Sequence, residues 1–125
     1  MQVIKKKYRL LLVVCWPVGG IRTFIRYTYG NFDSSRFHLT ILAQDQPELR
    51  VLLNDLKDFD VSYVPVGHDP RDLRFMLSVM KNIIFGRYDI IHSHGFISGI
   101  YSVIPASLSN TKHLMTSQDV FSEKQ

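Results

Sequence analysis

The chain has 125 residues, 46% hydrophobic and 21% charged, which fits one globular α/β-sized domain and excludes a disordered polymer or two ordinary domains. Its formal charge of +4 is unevenly spread. Residues 1–36 carry seven Lys/Arg against Asp33 alone, and the remainder is mildly acidic, so the basic excess suits a phosphate or an anionic membrane surface better than a nucleic-acid footprint, while a solvated run before the first strand explains Lys5, Lys6 and Lys7 as well.

Lys5, Lys6 and Lys7 precede the apolar run Leu10 to Trp16, which has the order of a secretory signal. The run ends in Trp16-Pro17 with no small-residue cleavage site, and a buried first strand from Tyr8 to Cys15 explains it as well. The single cysteine, Cys15, excludes an internal disulfide and fits a reducing cytosol. No stretch is long enough to span a bilayer.

Trp16-Pro17-Val18-Gly19-Gly20 reads as a turn. A short helix follows, with Ile21, Phe24, Ile25 and Thr28 expected inward and Arg22, Arg26 and Tyr29 on another face, closed by Gly30-Asn31. Phe37 to Ala43 predicts the second strand, Pro47 to Lys57 a helix striped by Leu49, Leu52, Leu53 and Leu56, and Val61 to Val66 the third strand. Asp69 to Gly86 predicts the longest helix, capped by Asp69 with Pro70 at its first position. Its apolar stripe reads Leu73, Met76, Leu77, Met80, Ile83 and Ile84, expected to face the core. Asp89 to His94 is the fourth strand, followed by Gly95 and a helix to about Leu108 that Pro105 should kink or shorten; Lys112 to Ser117 is the fifth strand. Strands alternating with helices predict a doubly wound, mainly parallel Rossmann-like sheet with helices on both faces. Ligands in such sheets bind at the carboxyl ends of the strands, which singles out the loops Trp16–Gly20, His92–Gly95 and Ser117–Phe121.

Gly19-Gly20 opens a helix after a strand and could admit a phosphate to free backbone N–H groups, with Arg22 as a nearby cation; a plain tight turn explains the same residues. Neither G-x-G-x-x-G nor a P-loop is present. His92 and His94 share one face of their strand, but no third and fourth ligand at suitable spacing completes a metal site. The expectation is His94 in the cleft and His92 satisfied in the packed layer, with a purely structural role open for both. Ser117, Gln118 and Asp119 suit either the lip of a site or a helix N-cap.

Taken in order, Trp16-Pro-Val-Gly-Gly-Ile-Arg22, Tyr88-Asp-Ile-Ile-His-Ser-His-Gly95 and Leu114-Met-Thr-Ser-Gln-Asp119 resemble the N-terminal domain of family 4 glycosyltransferases, over almost the whole chain. The family has the two-domain GT-B fold. The resemblance implies that residues 1–125 form one acceptor-side domain, without the second domain that carries most nucleotide-sugar contacts. It places Gly19, Gly20 and Arg22 beside the donor diphosphate and the acceptor, and His94, Gly95, Ser117, Gln118 and Asp119 on the acceptor wall. Many members carry a histidine where Gln118 stands. The implied reaction moves a sugar from a nucleotide sugar to a glycan, lipid-linked or small-molecule acceptor, with retention and no metal or other cofactor. The implied location is the cytoplasm, with the basic N-terminus offering peripheral contact to the inner face of the membrane. Alone, the chain is expected to be inactive, as a truncated reading frame or one subunit of a split enzyme would be. The alternative is a non-catalytic subunit that recruits acceptor or membrane to a separate catalytic chain.

Overall fold

Burial of the first strand on both faces decides the architecture. In the computed structural model, which describes residues 7–16, 19–30 and 35–116 (without the side chains of 19–22), the elements are β1 (Tyr8–Val14), α1 (Gly19–Tyr29), β2 (Phe37–Gln44), α2 (Pro47–Asp55), β3 (Val61–Val66), α3 (Leu73–Gly86), β4 (Ile90–His94), α4 (Phe96–Leu108) and β5 (Lys112–Thr116). Leu10, Leu12 and Val14 of β1 pack with Ile25 and Tyr29 of α1 and with Leu49, Leu52 and Leu56. Leu11, Val13 and Cys15 pack on the other face with Phe75, Val79 and Ile83 of α3 and Ala106 of α4. A strand covered on both faces must be apolar without alternation, and burying each leucine is worth about 1.5–3 kcal/mol.

All pairings are parallel, in the order β3-β2-β1-β4-β5. From β1 the chain winds outward through β2 and β3, and α3 then carries it back to β4 and on to β5. The winding direction therefore reverses between β1 and β4, whose carboxyl ends are aligned by the pairing of Val14 with His94. The expected doubly wound, Rossmann-like fold is the observed one.

Several local expectations are corrected. Tyr29, expected outward, is buried in the face of α1 formed with Ile25, while Phe24 is 37% exposed. A buried tyrosine needs a partner for its hydroxyl, and Tyr29 has one in β4. The third helix begins at Leu73, not at Asp69. Asp69 instead closes a preceding turn, accepting from the Arg71 backbone N–H at 2.8 Å, and Asp72 caps the helix by accepting from the Arg74 N–H at 2.9 Å. The inward stripe of α3 is Phe75, Val79 and Ile83; Leu73, Leu77 and Ile84 face out. The helix is apolar around most of its circumference, so the choice of stripe falls to packing, and the bulky Phe75 takes the core. The fourth helix reaches Leu108 as expected, with Pro105 inside it. The fifth strand is described over Lys112–Thr116, and the expected last residue, Ser117, lies outside the described residues. No helix among the described residues is long and apolar enough to cross a membrane.

Candidate functional site: the crevice between the first and fourth strands

A cavity of about 280 Å³ opens at the reversal of winding, lined by Cys15 and Trp16 after β1 and by His94, Gly95, Phe96, Ile97 and Ser98 after β4. Open α/β sheets hold ligands at this position because neighbouring loops there run in opposite directions and leave a crevice. The two walls are tied together: the Cys15 backbone N–H donates to Ser98 Oγ at 3.1 Å. Burial pushes the Cys15 thiol up to about 11, so it is a neutral wall atom and not a nucleophile.

Gly95 turns the chain from β4 into α4 with φ 93° and ψ 160°, a region essentially reserved for glycine. Its N–H continues the sheet ladder to the Thr116 carbonyl at 2.8 Å. The N-cap residue of α4 is Gly95, which has no side chain to cap the helix. Its first N–H groups thus point beyond the helix end without an intrahelical acceptor, beside the cavity, where the positive end of the helix dipole favours an oxygen ligand.

The histidines alternate on β4 as expected and their rings lie 4.0 Å apart, yet their circumstances differ. His92 Nδ1 pairs with the Tyr29 hydroxyl, and its Nε2 lies 2.7 Å from Thr116 Oγ1. Burial raises the Tyr29 phenol above its ordinary range, so the phenol keeps its proton and donates to Nδ1. His92 is then the Nε2–H tautomer, donating to Thr116. Burial, with His113 nearby, brings the His92 pKa down to about 4.

His94 is 1% exposed, and among the described residues neither ring nitrogen has a hydrogen-bond partner. It rests among the rings of Phe24, Tyr29 and His92. Burial, with the neighbouring His92, brings its pKa down to about 3, so it is a neutral imidazole at pH 7. One N–H and one lone pair are unspent.

His94 and Gly95 are therefore together at the crevice. Gly19 and Gly20 lie in the first turn of α1 and not in the loop before it. The side chain of Arg22 falls outside the description, as do Ser117, Gln118 and Asp119 altogether. Among the described residues no group of three or more His, Cys, Asp or Glu gathers as a metal site, and both nitrogens of His92 are engaged. Of the N-terminal bases, Lys7 pairs with Asp60 at 2.5 Å, Arg9 donates to the Gly86 carbonyl at 2.6 Å, and Lys5 and Lys6 are outside the described residues. Residue patterns missed Tyr29, Cys15, Phe96 and Ser98 as parts of this neighbourhood. The four-residue step from Ile25 to Tyr29 was the available signal for the first; the others depend on the pairing of β1 with β4.

No protein-family profile and no characterised sequence matches the chain. Solved structures do. A glycosyltransferase from Rickettsia africae ESF-5 superposes with a TM-score of 0.58 at 18% identity, over 87% of this chain and 29% of that one. A provisionally named UDP-N-acetylglucosamine 2-epimerase from Listeria monocytogenes superposes with a TM-score of 0.59 at 13% identity, over 89% of this chain and 31% of that one. The likeness is one of fold, and the chain spans about three-tenths of either neighbour.

Proposed function

We propose that this chain is the acceptor-side domain of a GT-B glycosyltransferase, acting on a nucleotide sugar and a glycan, lipid-linked or small-molecule acceptor, with retention. The observation that carries the proposal is the crevice at the β1/β4 reversal, floored by a buried histidine with unspent hydrogen-bonding capacity and flanked by an uncapped helix. The ordered motifs that resemble family 4, and fold neighbours named for sugar transfer and for nucleotide-sugar epimerisation, support it. Departure of a nucleoside diphosphate needs stabilisation of developing negative charge, which helix N–H groups and cations supply without a metal. In this proposal Gly19, Gly20 and Arg22 attend the diphosphate, and His94, Gly95, Ser117, Gln118 and Asp119 form the acceptor wall. The donor-binding half lies in a further domain, and the domain works in the cytoplasm, with Lys5 and Lys6 near the membrane surface.

Assay of the 125-residue chain and of a polypeptide that includes a donor-binding domain tests this. Several nucleotide sugars are supplied with and without acceptors; incubation without acceptor reads epimerisation. Transfer is expected only with the longer polypeptide, and Gly20→Ala is expected to slow it at least about tenfold at unchanged Tm. Epimerisation without transfer, or parental transfer by a folded Gly20→Ala variant, contradicts the assignment. One observation favours the second reading, a recruiting subunit: Leu114, 58% exposed, and Met115 stand open on the edge strand β5. Stable capture of a separate catalytic chain, lost on Leu114→Lys, would decide for it.

A further inference from the structure

We propose that Ser62, His38 and Asp60 form a second, hydrolytic site that transfers the acyl group of a small ester to water. The three side chains meet at the amino ends of β2 and β3, at the opposite end of the sheet from the crevice. His38 Nδ1 lies 2.9 Å from Asp60 Oδ2, and His38 Nε2 lies 3.0 Å from Ser62 Oγ. Carboxylate, imidazole and hydroxyl in that order turn a serine into a nucleophile, and the arrangement recurs on unrelated folds and in any chain order. Lys7 and His38 both bond Asp60 and hold its carboxyl below the ordinary carboxylate range, so it is ionised at neutral pH. An anion beside Nδ1 keeps the imidazole proton there. The Nε2 lone pair then faces Ser62, whose hydroxyl donates to it.

The fold brings these groups together and leaves them accessible. Thr40 is in register with Ser62, so His38 and Ser62 share one face of the sheet. Leu42 and Val66, four residues on in each strand, are buried in the cluster with α3, so it is the α3 face. Ser62 is nevertheless exposed, and the His38 side chain is 24% exposed. Among the described residues β3 is an edge strand. The Leu39 N–H bonds the Asp60 carbonyl, and bonding to a neighbour alternates along a parallel strand, so the Val61 and Tyr63 N–H groups point to the open edge. They flank Ser62 and are available to a developing oxyanion. A cavity of about 360 Å³ runs along α3, lined by Ser78, Lys81, Asn82, Phe85 and Gly86. Arg9, in register with His38, donates to the Gly86 carbonyl at 2.6 Å, which sets this cavity at the same end and on the same face as the three residues. It has room for a small ester and not for a polymer. In the reaction Ser62 Oγ attacks the ester carbonyl carbon while its proton passes to His38 Nε2. The bond to the alcohol oxygen breaks, and His38 gives the proton to the departing alcohol. Water, deprotonated by the same Nε2, then displaces Ser62 from the acyl-serine and releases the carboxylic acid.

Two measurements on the 125-residue chain test the site, and neither depends on sugar transfer at the crevice. The first is hydrolysis of p-nitrophenyl acetate and p-nitrophenyl butyrate. Saturable release of p-nitrophenol is expected, and Ser62→Ala and His38→Ala should each slow it at least about hundredfold. Asp60→Asn should slow it at least about tenfold, because the imidazole then loses the anion that fixes its tautomer. The second is labelling with a fluorophosphonate, located by mass spectrometry. The adduct is expected on Ser62 and should be lost in His38→Ala. Absence of hydrolysis above that of the urea-unfolded chain overturns the site, as does an adduct elsewhere or none. Loss of hydrolysis in His38→Ala with parental rates in folded Ser62→Ala also overturns it, since the imidazole then acts alone. If a variant does not fold, the place of the adduct on the parent chain decides.

Discussion

The two ring nitrogens of His94 are held out of water with no hydrogen-bond partner among the described residues, although the ring itself packs against Phe24, Tyr29 and His92. Replacing it by Leu, of comparable bulk, removes the unmet groups, and the folded state is expected to gain roughly 1 kcal/mol. Urea unfolding measures this, and a loss of stability would show that the imidazole is satisfied after all. The same burial fixes a pH dependence. Folding brings His92 down to about 4 and His94 to about 3, against an ordinary value near 6.5, and burial moves His113 in the same direction. As pH falls through 6.5 the unfolded chain takes up protons that the folded chain refuses, so stability is full above about 6.5 and declines towards pH 4. The slope should approach about 1.4 kcal/mol per pH unit for each buried histidine. Asp60, Asp69 and Asp72 have lowered values and lose their contribution only in the more acidic range. Urea midpoints between pH 7 and 4.5 should therefore fall steeply in the parent and less so in His94→Leu; a flat parent profile contradicts the assignment. Spacing alone was enough to put both histidines on one face. It could not separate the spent imidazole from the idle one, because the partners of His92 arrive from α1 and β5, 63 residues before it and 24 after it.

Elements were legible wherever one physical rule governed them. The apolar run of β1, the Leu49–Leu52–Leu56 stripe and the Gly95 break each follow from burial or backbone geometry, and the structure has them where those rules put them. The rotation and start of α3 were less legible. Asp69-Pro70 has the form of a cap and first turn, and Asp72, three residues after Asp69, has an equal claim; the segment resolves the competition by making a turn first and the helix second. Asp72→Ala should accordingly lower Tm more than Asp69→Ala, because only the former leaves a helix N–H uncapped. Equal losses would restore the earlier start. In the β4–α4 turn, Gly95→Ala forces a Cβ onto φ 93°, with an expected cost of about 1–3 kcal/mol. The expected damage is in unfolding free energy and in the position of Phe96, both readable by urea titration and amide shifts. A variant as stable as the parent would mean that the β4–α4 turn relaxes freely.

At the scale of the molecule, what remains unexplained by the core is the outer surface of α3 and α4. Leu73, Leu77, Ile84 and Phe85 on α3, and Ile100, Val103, Ile104 and Leu108 on α4, all face out, Phe85 at 75% and Leu108 at 72% exposure. The two helices pack side by side against the same sheet face, so these residues share one side of the molecule. Scattered exposed apolar residues are ordinary, but a concentration of this kind on one side favours association in water. The periodicity of α3 points three of these residues, Leu73, Leu77 and Ile84, into the core, since it tells that a helix has an apolar stripe and not how many faces the fold can cover. Ile104 and Leu108 lie one turn apart on α4, clear of the cavity-lining residues, and neither belongs to either core cluster. The double variant Ile104→Lys/Leu108→Lys should therefore leave unfolding free energy within about 0.5 kcal/mol per site, while raising the concentration at which the chain stays monomeric. Sedimentation over a concentration series, beside urea unfolding of the same samples, checks both halves. Undiminished self-association would place the sticky surface elsewhere, with the open edge of β5 next in line. A large loss of stability would mean that these side chains are buried in the folded chain.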